Sequence, residues 1–298
     1  MALIHPQLEA FLAVLEETSF EAAARHLSIT PSAVSQRIKA LEDRLGQPLI
    51  IRQLPCRPTA AGKKLLRRLR PMRALEAEAL ADFLPHESGG ALNRPIALAV
   101  NDDSLATWLI AALARLHDAH GYLFDVTVDD QDHTLDLLRE GAVLAAITAE
   151  ATPLQGCTVR TLGAMRYRAV ASPEFVARYF ASGVDASTLK QAPMIVFNRK
   201  DALQSRFIRL ITRAHIAPPV HYLPTAIGFV DAAAQGLGWC LAPESLIEDA
   251  LASRRIVMVG PERWLDVPLY LQHAAIASQT LQRLSDALQH TASRALHR

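Results

Sequence analysis

The chain has 298 residues, half of them hydrophobic, with 31 Lys and Arg against 30 Asp and Glu. That length is too great for one ordinary core and suits a small domain joined to a larger α/β part. No apolar run approaches the roughly 20 residues that span a bilayer, and Met1 to Gln7 holds no basic start followed by an apolar stretch, so a cytoplasmic protein without membrane span or signal peptide is expected.

Leu8, Phe11, Leu12 and Leu15 fall at the i, i+3, i+4, i+7 spacing of a first amphipathic helix beginning near Pro6. Ser19 reads as the N-cap of a second helix, whose stripe is Phe20, Ala23, Ala24 and Leu27. After Ser28-Ile29, Thr30 can cap a third helix with Pro31 at its first position, and Gly46 ends it. This is helix-turn-helix spacing. Val34, Ile38, Leu41 and Leu45 share one side of the third helix, which predicts the packed face. Ser32, Gln36 and Lys39 then lie opposite, with Ser35 on the flank, near the helix end that such a motif presents to base edges. Hydroxyls and an amide can read bases, whereas lysine suits phosphate.

Pro48 to Arg52 reads as a short strand and Arg57-Pro58 as its return, a wing that brings Arg52 and Arg57 beside the DNA backbone or minor groove. Between Arg25 and Arg73 stand twelve Lys or Arg and only two acids, Glu42 and Asp43. A surplus of ten in one stretch points to double-stranded DNA as partner, since neutralised phosphates release counterions. Thr59 to Leu84 reads as one long helix. Leu65, Leu69, Met72, Ala79 and Phe83 repeat at spacings of three, four or seven, so the helix pairs with its copy in a second subunit or docks on its own domain. Pro71 predicts a kink within it.

The blocks Phe20-Glu21-Ala22-Ala23-Ala24-Arg25-His26-Leu27, Thr30-Pro31-Ser32-Ala33-Val34-Ser35-Gln36-Arg37-Ile38-Lys39-Ala40-Leu41-Glu42 and Arg57-Pro58-Thr59-Ala60-Ala61-Gly62 together resemble the N-terminal signature of LysR-type transcriptional regulators. Ala99-Val100-Asn101-Asp102-Asp103-Ser104-Leu105-Ala106-Thr107-Trp108-Leu109 is similar to the ArgP/LysG subgroup, whose members respond to lysine and arginine and typically govern a basic amino acid exporter. The resemblance implies a DNA-binding domain of winged helix-turn-helix type over residues 1–58, a linker and dimerisation helix over 59–84, and a hinge over 85–92. It further implies a periplasmic-binding-protein-like effector domain of two Rossmann-like subdomains over 93–298. Subdomain I spans 93–164 and 269–298; subdomain II spans 165–268. A homodimer or dimer of dimers follows, with RNA polymerase as a further partner. Two positions depart from the subgroup: Ile227 stands where an acid is expected, and Leu271-Gln272 where an aromatic–His pair is expected.

Beyond the polar, glycine-containing hinge, strand-like and helix-like segments alternate. Strands are predicted at Ile96–Asn101, Leu123–Val128, Val143–Thr148, Tyr167–Ala171, Ile195–Phe197, Val220–Leu223, Trp239–Ala242 and Leu269–Gln272. Helices are predicted near Ser104–His120, Thr134–Glu140 and Ser278–Leu296. The alternation implies βαβ units and a mostly parallel sheet. Ligands of open α/β sheets bind at the carboxyl ends of strands, where helix N-termini offer amide donors. Asn101 to Ser104 and the helix start at Thr225 occupy such places. Ser104 and Thr225 with backbone amides could hold a carboxylate, Asp102, Asp103, Asp129 or Asp130 could meet an ammonium or guanidinium, and Thr148 is a further position at a strand end. A cationic amino acid satisfies both halves. Alternatively, Asp103 only caps its helix and Asp129 to Asp132 form an exposed loop.

Cys56, Cys157 and Cys240 are far apart and not in C-x-x-C form, which indicates neither a disulfide framework nor a zinc site. His117 and His120 have no third ligand nearby, so no metal or cofactor is expected. With no P-loop, G-x-S-x-G or H-E-x-x-H, the sequence argues against an enzyme. The competing non-enzymatic reading is a nucleoid or replication-control protein that bends DNA without a ligand switch.

Overall fold

The computed structural model describes residues 4–81, 83, 95–129 and 134–298; the expected hinge at 85–92 and Asp130 lie outside them. Helices α1 (Pro6–Glu16), α2 (Phe20–His26) and α3 (Pro31–Leu45) form the first core. Each start has a local cause. Ser19 accepts a hydrogen bond from the Ala22 amide, Thr30 accepts one from Ala33, and Pro31 occupies the first turn of α3. Gly46 closes α3 at φ +69°, the left-handed conformation that glycine adopts without penalty. Phe11, Leu12, Val14, Val34, Ile38 and Leu41 are buried together. Leu45 departs from the expected face: it is 44% exposed, because the helix outruns the core in its last turn.

The wing is the antiparallel pair β1 (Ile50–Ile51) and β2 (Arg57–Pro58), with Ile51 opposite Arg57. Helix α4 (Ala60–Ala81) follows. Thr59 accepts from the Gly62 amide and donates to the Pro48 carbonyl, tying the start of α4 to the base of the wing. A Cβ on Gly62 would stand 2.2 Å from the Leu49 carbonyl oxygen, so glycine is what allows this approach. The helix continues through Pro71. Its apolar seam divides. Leu66 and Leu69 are buried in the first core with Leu65 packed beside them, whereas Met72 and Phe83 are 53% and 82% exposed. Of the two expected uses of this seam, docking on its own domain holds for the first part of the helix, while Met72 and Phe83 stay clear of that core.

The C-terminal part begins with β3 (Ile96–Val100), followed by α5 (Asp102–Ser104), a π-helical turn at Leu105–Leu109 and α6 (Ile110–His120). Then come β4 (Phe124–Val128), α7 (Thr134–Arg139), β5 (Ala145–Thr148) and the long β6 (Cys157–Ala171). Next are α8 (Pro173–Tyr179), α9 (Ala186–Gln191), β7 (Met194–Val196), α10 (Leu203–Ile211) and β8 (Val220–Tyr222). The chain ends with α11 (Ala226–Ala234), β9 (Cys240–Pro243), α12 (Glu244–Ala252), β10 (Val257–Met258), β11 (Leu265–Ala274) and α13 (Gln279–Ala295).

The main sheet runs β10-β6-β11-β5-β3-β4, with β9 also on β6. β3 pairs in parallel with β4 and β5, and β7 pairs in parallel with β8. The middle is antiparallel, which corrects the expected mostly parallel sheet. The reason is topological. Parallel neighbours need a crossover helix, but β6 and β11 are long strands that run directly between the two α/β halves, one outward and one back. They pair over ten positions, including Ala164 with Pro268, with a register shift after Leu269. Gly163, at φ +137°, sits where the chain end crosses: Ala164 and His297 exchange two backbone hydrogen bonds of 2.8 and 2.9 Å. This is a periplasmic-binding-protein-like fold. Trp108, Leu109, Leu116, Leu281, Leu284 and Leu288 pack on one face of the first half's sheet, and Leu135 and Leu138 on the other. Phe229, Val230, Ile247 and Ile256 belong to a separate cluster in the second half.

Candidate functional site

On α3 the apolar side chains Val34, Ile38 and Leu41 are spent on the core. Ser32, Gln36 and Lys39 are consequently exposed, with Ser35 half-buried beside them. The Ser32 hydroxyl lies 2.9 Å from that of Thr30, so the residue nearest the helix start is held by the cap itself. From α3, Glu42 reaches the wing: it accepts from the amides of Leu49 (2.7 Å) and Ile50 (3.3 Å) and pairs with Arg52 at 3.3 Å. Arg52 also lies over the Phe20 ring, 5.3 Å from its centroid. Arg52 thus braces the wing against α2 and α3, while Arg57 is exposed on β2. A helix face of hydroxyls and an amide flanked by arginines can engage base edges and phosphates together.

The second site is assembled by strand register. Val100 stands opposite Val128 and Ala99 opposite Ala146, so Asn101, Asp129 and Thr148 follow at the carboxyl ends of neighbouring strands. Asn101 is 1% exposed and Ser104 is fully buried, yet neither polar atom of the Asn101 amide nor the Ser104 hydroxyl has a hydrogen-bond partner. Thr148 is buried and accepts from the Glu150 amide at 3.2 Å. Each buried, unsatisfied polar group costs about 1–3 kcal/mol. Such groups are retained where something other than stability requires them.

Both acids that follow Asn101 reach the second half of the domain. Asp102 Oδ2 accepts a 2.6 Å hydrogen bond from the Ala226 amide at the start of α11, and Asp103 Oδ2 accepts one of 2.6 Å from the Tyr167 hydroxyl on β6. Thr225 is the N-cap of α11, its hydroxyl accepting from Gly228 at 3.3 Å. The Asp102–Ala226 contact therefore sets the Asn101–Ser104 segment beside the start of α11 at Thr225, with Asp129 and Thr148 at the neighbouring strand ends.

The profile of the bacterial regulatory helix-turn-helix protein, lysR family, matches residues 5–63, and that of the LysR substrate binding domain matches residues 89–294. The chain belongs to the LysR family. It is 46% identical over 291 residues to the HTH-type transcriptional regulator LysG of Mycobacterium tuberculosis, a match that covers 97% of this chain and 93% of that one. The crystal structure of ArgP from Mycobacterium tuberculosis is 45% identical, with 99% of each chain covered and a TM-score of 0.85. Full-length LysG from Corynebacterium glutamicum with bound effector Arg is 36% identical, covering 99% of this chain and 100% of that one, with a TM-score of 0.75. As a LysR-family member, the protein is a DNA-binding transcriptional regulator with a C-terminal effector domain.

Several features of this LysR effector domain have no local sequence signal. Tyr167 lies on a predicted strand, but nothing in its neighbourhood distinguishes it from a core aromatic or announces its hydrogen bond to Asp103. The π-helical turn directly after Ser104 is another, and such turns are frequent at functional sites. Gln272 is fully buried and saturated: its side chain accepts from the Leu154 amide at 3.0 Å and donates to the carbonyls of Glu150 and Thr152, both at 2.9 Å. It fixes the loop that leaves β5, a structural task that replaces the expected aromatic–His pair. Ile227 is 63% exposed, one residue beyond Ala226.

The linker helix is docked on the first half of the effector domain. Lys63 pairs with Glu140, and Arg67 donates to the Gln155 carbonyl. Nearer its end, Glu78 receives hydrogen bonds from the Ser278 hydroxyl and from the amides of Gln279 (3.1 Å) and Thr280 (2.9 Å) at the start of α13.

Proposed function

We propose that this regulator senses a basic amino acid, lysine or arginine, in the cleft between its subdomains and thereby controls transcription of an amino acid exporter or related genes. The observation that carries the reading is the pair of buried, unpartnered polar side chains Asn101 and Ser104 after the carboxyl end of β3, adjoining Asp103 and Asp102, the latter bonded to the start of α11 at Ala226. Amides and hydroxyls at a helix start suit a carboxylate. Asp103, Asp129 and Asp130 supply negative charge for an ammonium or guanidinium. The arginine bound in the Corynebacterium glutamicum relative supports the same ligand class.

At the other end of the chain, Ser32, Ser35 and Gln36 read base edges, while Lys39, Arg52 and Arg57 position the backbone. Residues 1–58 bind DNA and 59–84 link and dimerise. Residues 85–92 act as hinge and 93–298 as sensor, with subdomains of 93–164 plus 269–298 and 165–268. The exposed Met72, Leu75 and Phe83 form the dimer seam. Two copies then place two α3 helices on a dyad-symmetric site. Ligand closure changes DNA bending or contact with RNA polymerase, and no covalent chemistry is required.

A thermal-shift titration of the full chain with lysine, arginine, ornithine and neutral amino acids tests the sensor. A ligand at about 100 times its Kd stabilises by about 2.7 kcal/mol. The expected result is a concentration-dependent rise in Tm confined to basic amino acids. No rise with any of them would overturn the reading and favour a DNA-bending protein without a ligand switch.

A further inference from the structure

The cleft already holds a carboxylate, that of Asp102. Asp102 belongs to subdomain I, in the first turn after β3, yet its Oδ2 takes the Ala226 amide of subdomain II at 2.6 Å. Helix α11 is nine residues long, and its start is served by two acceptors: the Thr225 hydroxyl for Gly228 and the Asp102 carboxylate for Ala226. The neighbouring Asp103 reaches across as well, to the Tyr167 hydroxyl. Consecutive acids on one wall thus fasten two elements of the other. Around them, Asn101 and Ser104 are buried with no partner for their polar atoms. The α11 N-terminus thus has acceptors for its Ala226 and Gly228 amides, whereas the polar side chains of Asn101 and Ser104 after β3 have no partner.

We infer that Asp102 is a built-in competitor for the effector, occupying the α11 N-terminus with the same chemical group that an amino acid would present there. The inference rests on the amino-acid reading above. Helix starts favour anions through oriented amides and the helix dipole, and the Asp102 contact demonstrates that a carboxylate fits this one. An incoming α-carboxylate takes the Ala226 amide and releases Asp102, so the fastening between subdomains passes from a protein side chain to the ligand. Binding and the change in cleft geometry are then one event, and the wild-type affinity is lowered by the bond that must be broken. The device also discriminates by chemistry: a diamine or guanidine without a carboxylate cannot replace Asp102 and leaves the fastening intact.

Isothermal titration of wild type, Asp102→Ala and Asp102→Asn with arginine and with agmatine, its decarboxylated analogue, tests this. Circular dichroism and Tm establish that each variant is folded, and Asp102→Asn retains the side-chain shape while weakening the acceptor. A charge-assisted hydrogen bond is worth about tenfold or more in competition, so arginine binds about tenfold more tightly to Asp102→Ala and by a smaller factor more tightly to Asp102→Asn. Agmatine affinity does not rise in either variant. If both variants bind arginine and agmatine more weakly, Asp102 is a direct partner of the ligand's cation and the competitor role is wrong while the amino-acid reading stands. Equal affinity in all three proteins likewise overturns it. If wild type and variants all fail to bind arginine and lysine, the amino-acid reading itself fails and takes the inference with it.

Discussion

The carboxylate of Glu78, near the end of the linker helix, accepts a 2.9 Å hydrogen bond from the backbone amide of Thr280, 202 residues further along the chain. With the Ser278 hydroxyl and the Gln279 amide on the same carboxylate, one side chain of α4 caps the N-terminus of α13. Burial opposes the charge of Glu78, but the hydrogen bonds from Ser278, Thr280 and Gln279 outweigh it and hold the carboxyl below the usual range. A folded-state value below the unfolded one means that this stabilisation is complete above the ordinary glutamate range near pH 4.3 and is lost as pH falls through the folded value. Glu78→Ala is expected to lose roughly 1–2 kcal/mol at pH 7, the cost of a removed N-cap, with the deficit vanishing in strong acid. Urea unfolding followed across pH checks both parts.

Asn101 and Ser104 oppose stability where they stand. Replacing a buried, unpartnered polar group by an apolar one of similar shape is close to neutral or stabilising. Asn101→Leu should therefore keep or raise the Tm of the unliganded protein while abolishing the Tm rise produced by arginine or lysine. A lower unliganded Tm together with an intact ligand response would contradict the proposed role of this wall.

Gly62 is required by a backbone rather than by a turn. Its position against the Leu49 carbonyl leaves no space for a methyl group, so Gly62→Ala forces α4 off the wing at a cost of about 1–3 kcal/mol. The expected signature is reduced thermal stability of the DNA-binding domain, with a shift in all DNA affinities and no change in effector affinity.

The two kinds of DNA contact should separate in binding measurements. Gln36→Ala is expected to relax sequence preference, as removing a base-reading amide does at about 1–3 kcal/mol. Arg57→Ala should weaken binding to all sequences and lower the slope of log affinity against log salt by about one. Arg52→Ala should do the same and, because Arg52 also engages Glu42 and Phe20, lower stability as well. Fluorescence anisotropy over a salt series on specific and scrambled duplexes distinguishes these outcomes.

Much of the DNA-binding domain was legible because its signals are local: Ser19 and Thr30 accept the hydrogen bonds their positions announce, and Gly46 adopts the left-handed cap. Leu45 and Leu69 mark where period alone fails. An apolar residue at the right angle is buried only if the helix still faces a core there, and the period is the same whether the partner is the chain's own domain or a second copy. In the effector domain, the part of β6 before Tyr167 has no clear strand pattern, because Arg160, Gly163 and Arg166 interrupt its apolar residues. The glycine is instead demanded by the chain end passing over it. The positions of Asn101, Ser104 and Thr225 followed from the rule that ligands sit at strand ends. Their partners did not, since the Asp102–Ala226 and Asp103–Tyr167 contacts span 124 and 64 residues and no local periodicity encodes them.

The most direct test of the central claim is the affinity and footprint of the full-length protein on the promoter of a neighbouring exporter gene, measured with and without lysine or arginine at fixed salt. A basic amino acid should change affinity, footprint or transcription from that promoter, whereas a neutral amino acid at the same concentration should leave all three unchanged. Identical affinity, footprint and transcription with and without lysine and arginine would contradict the account.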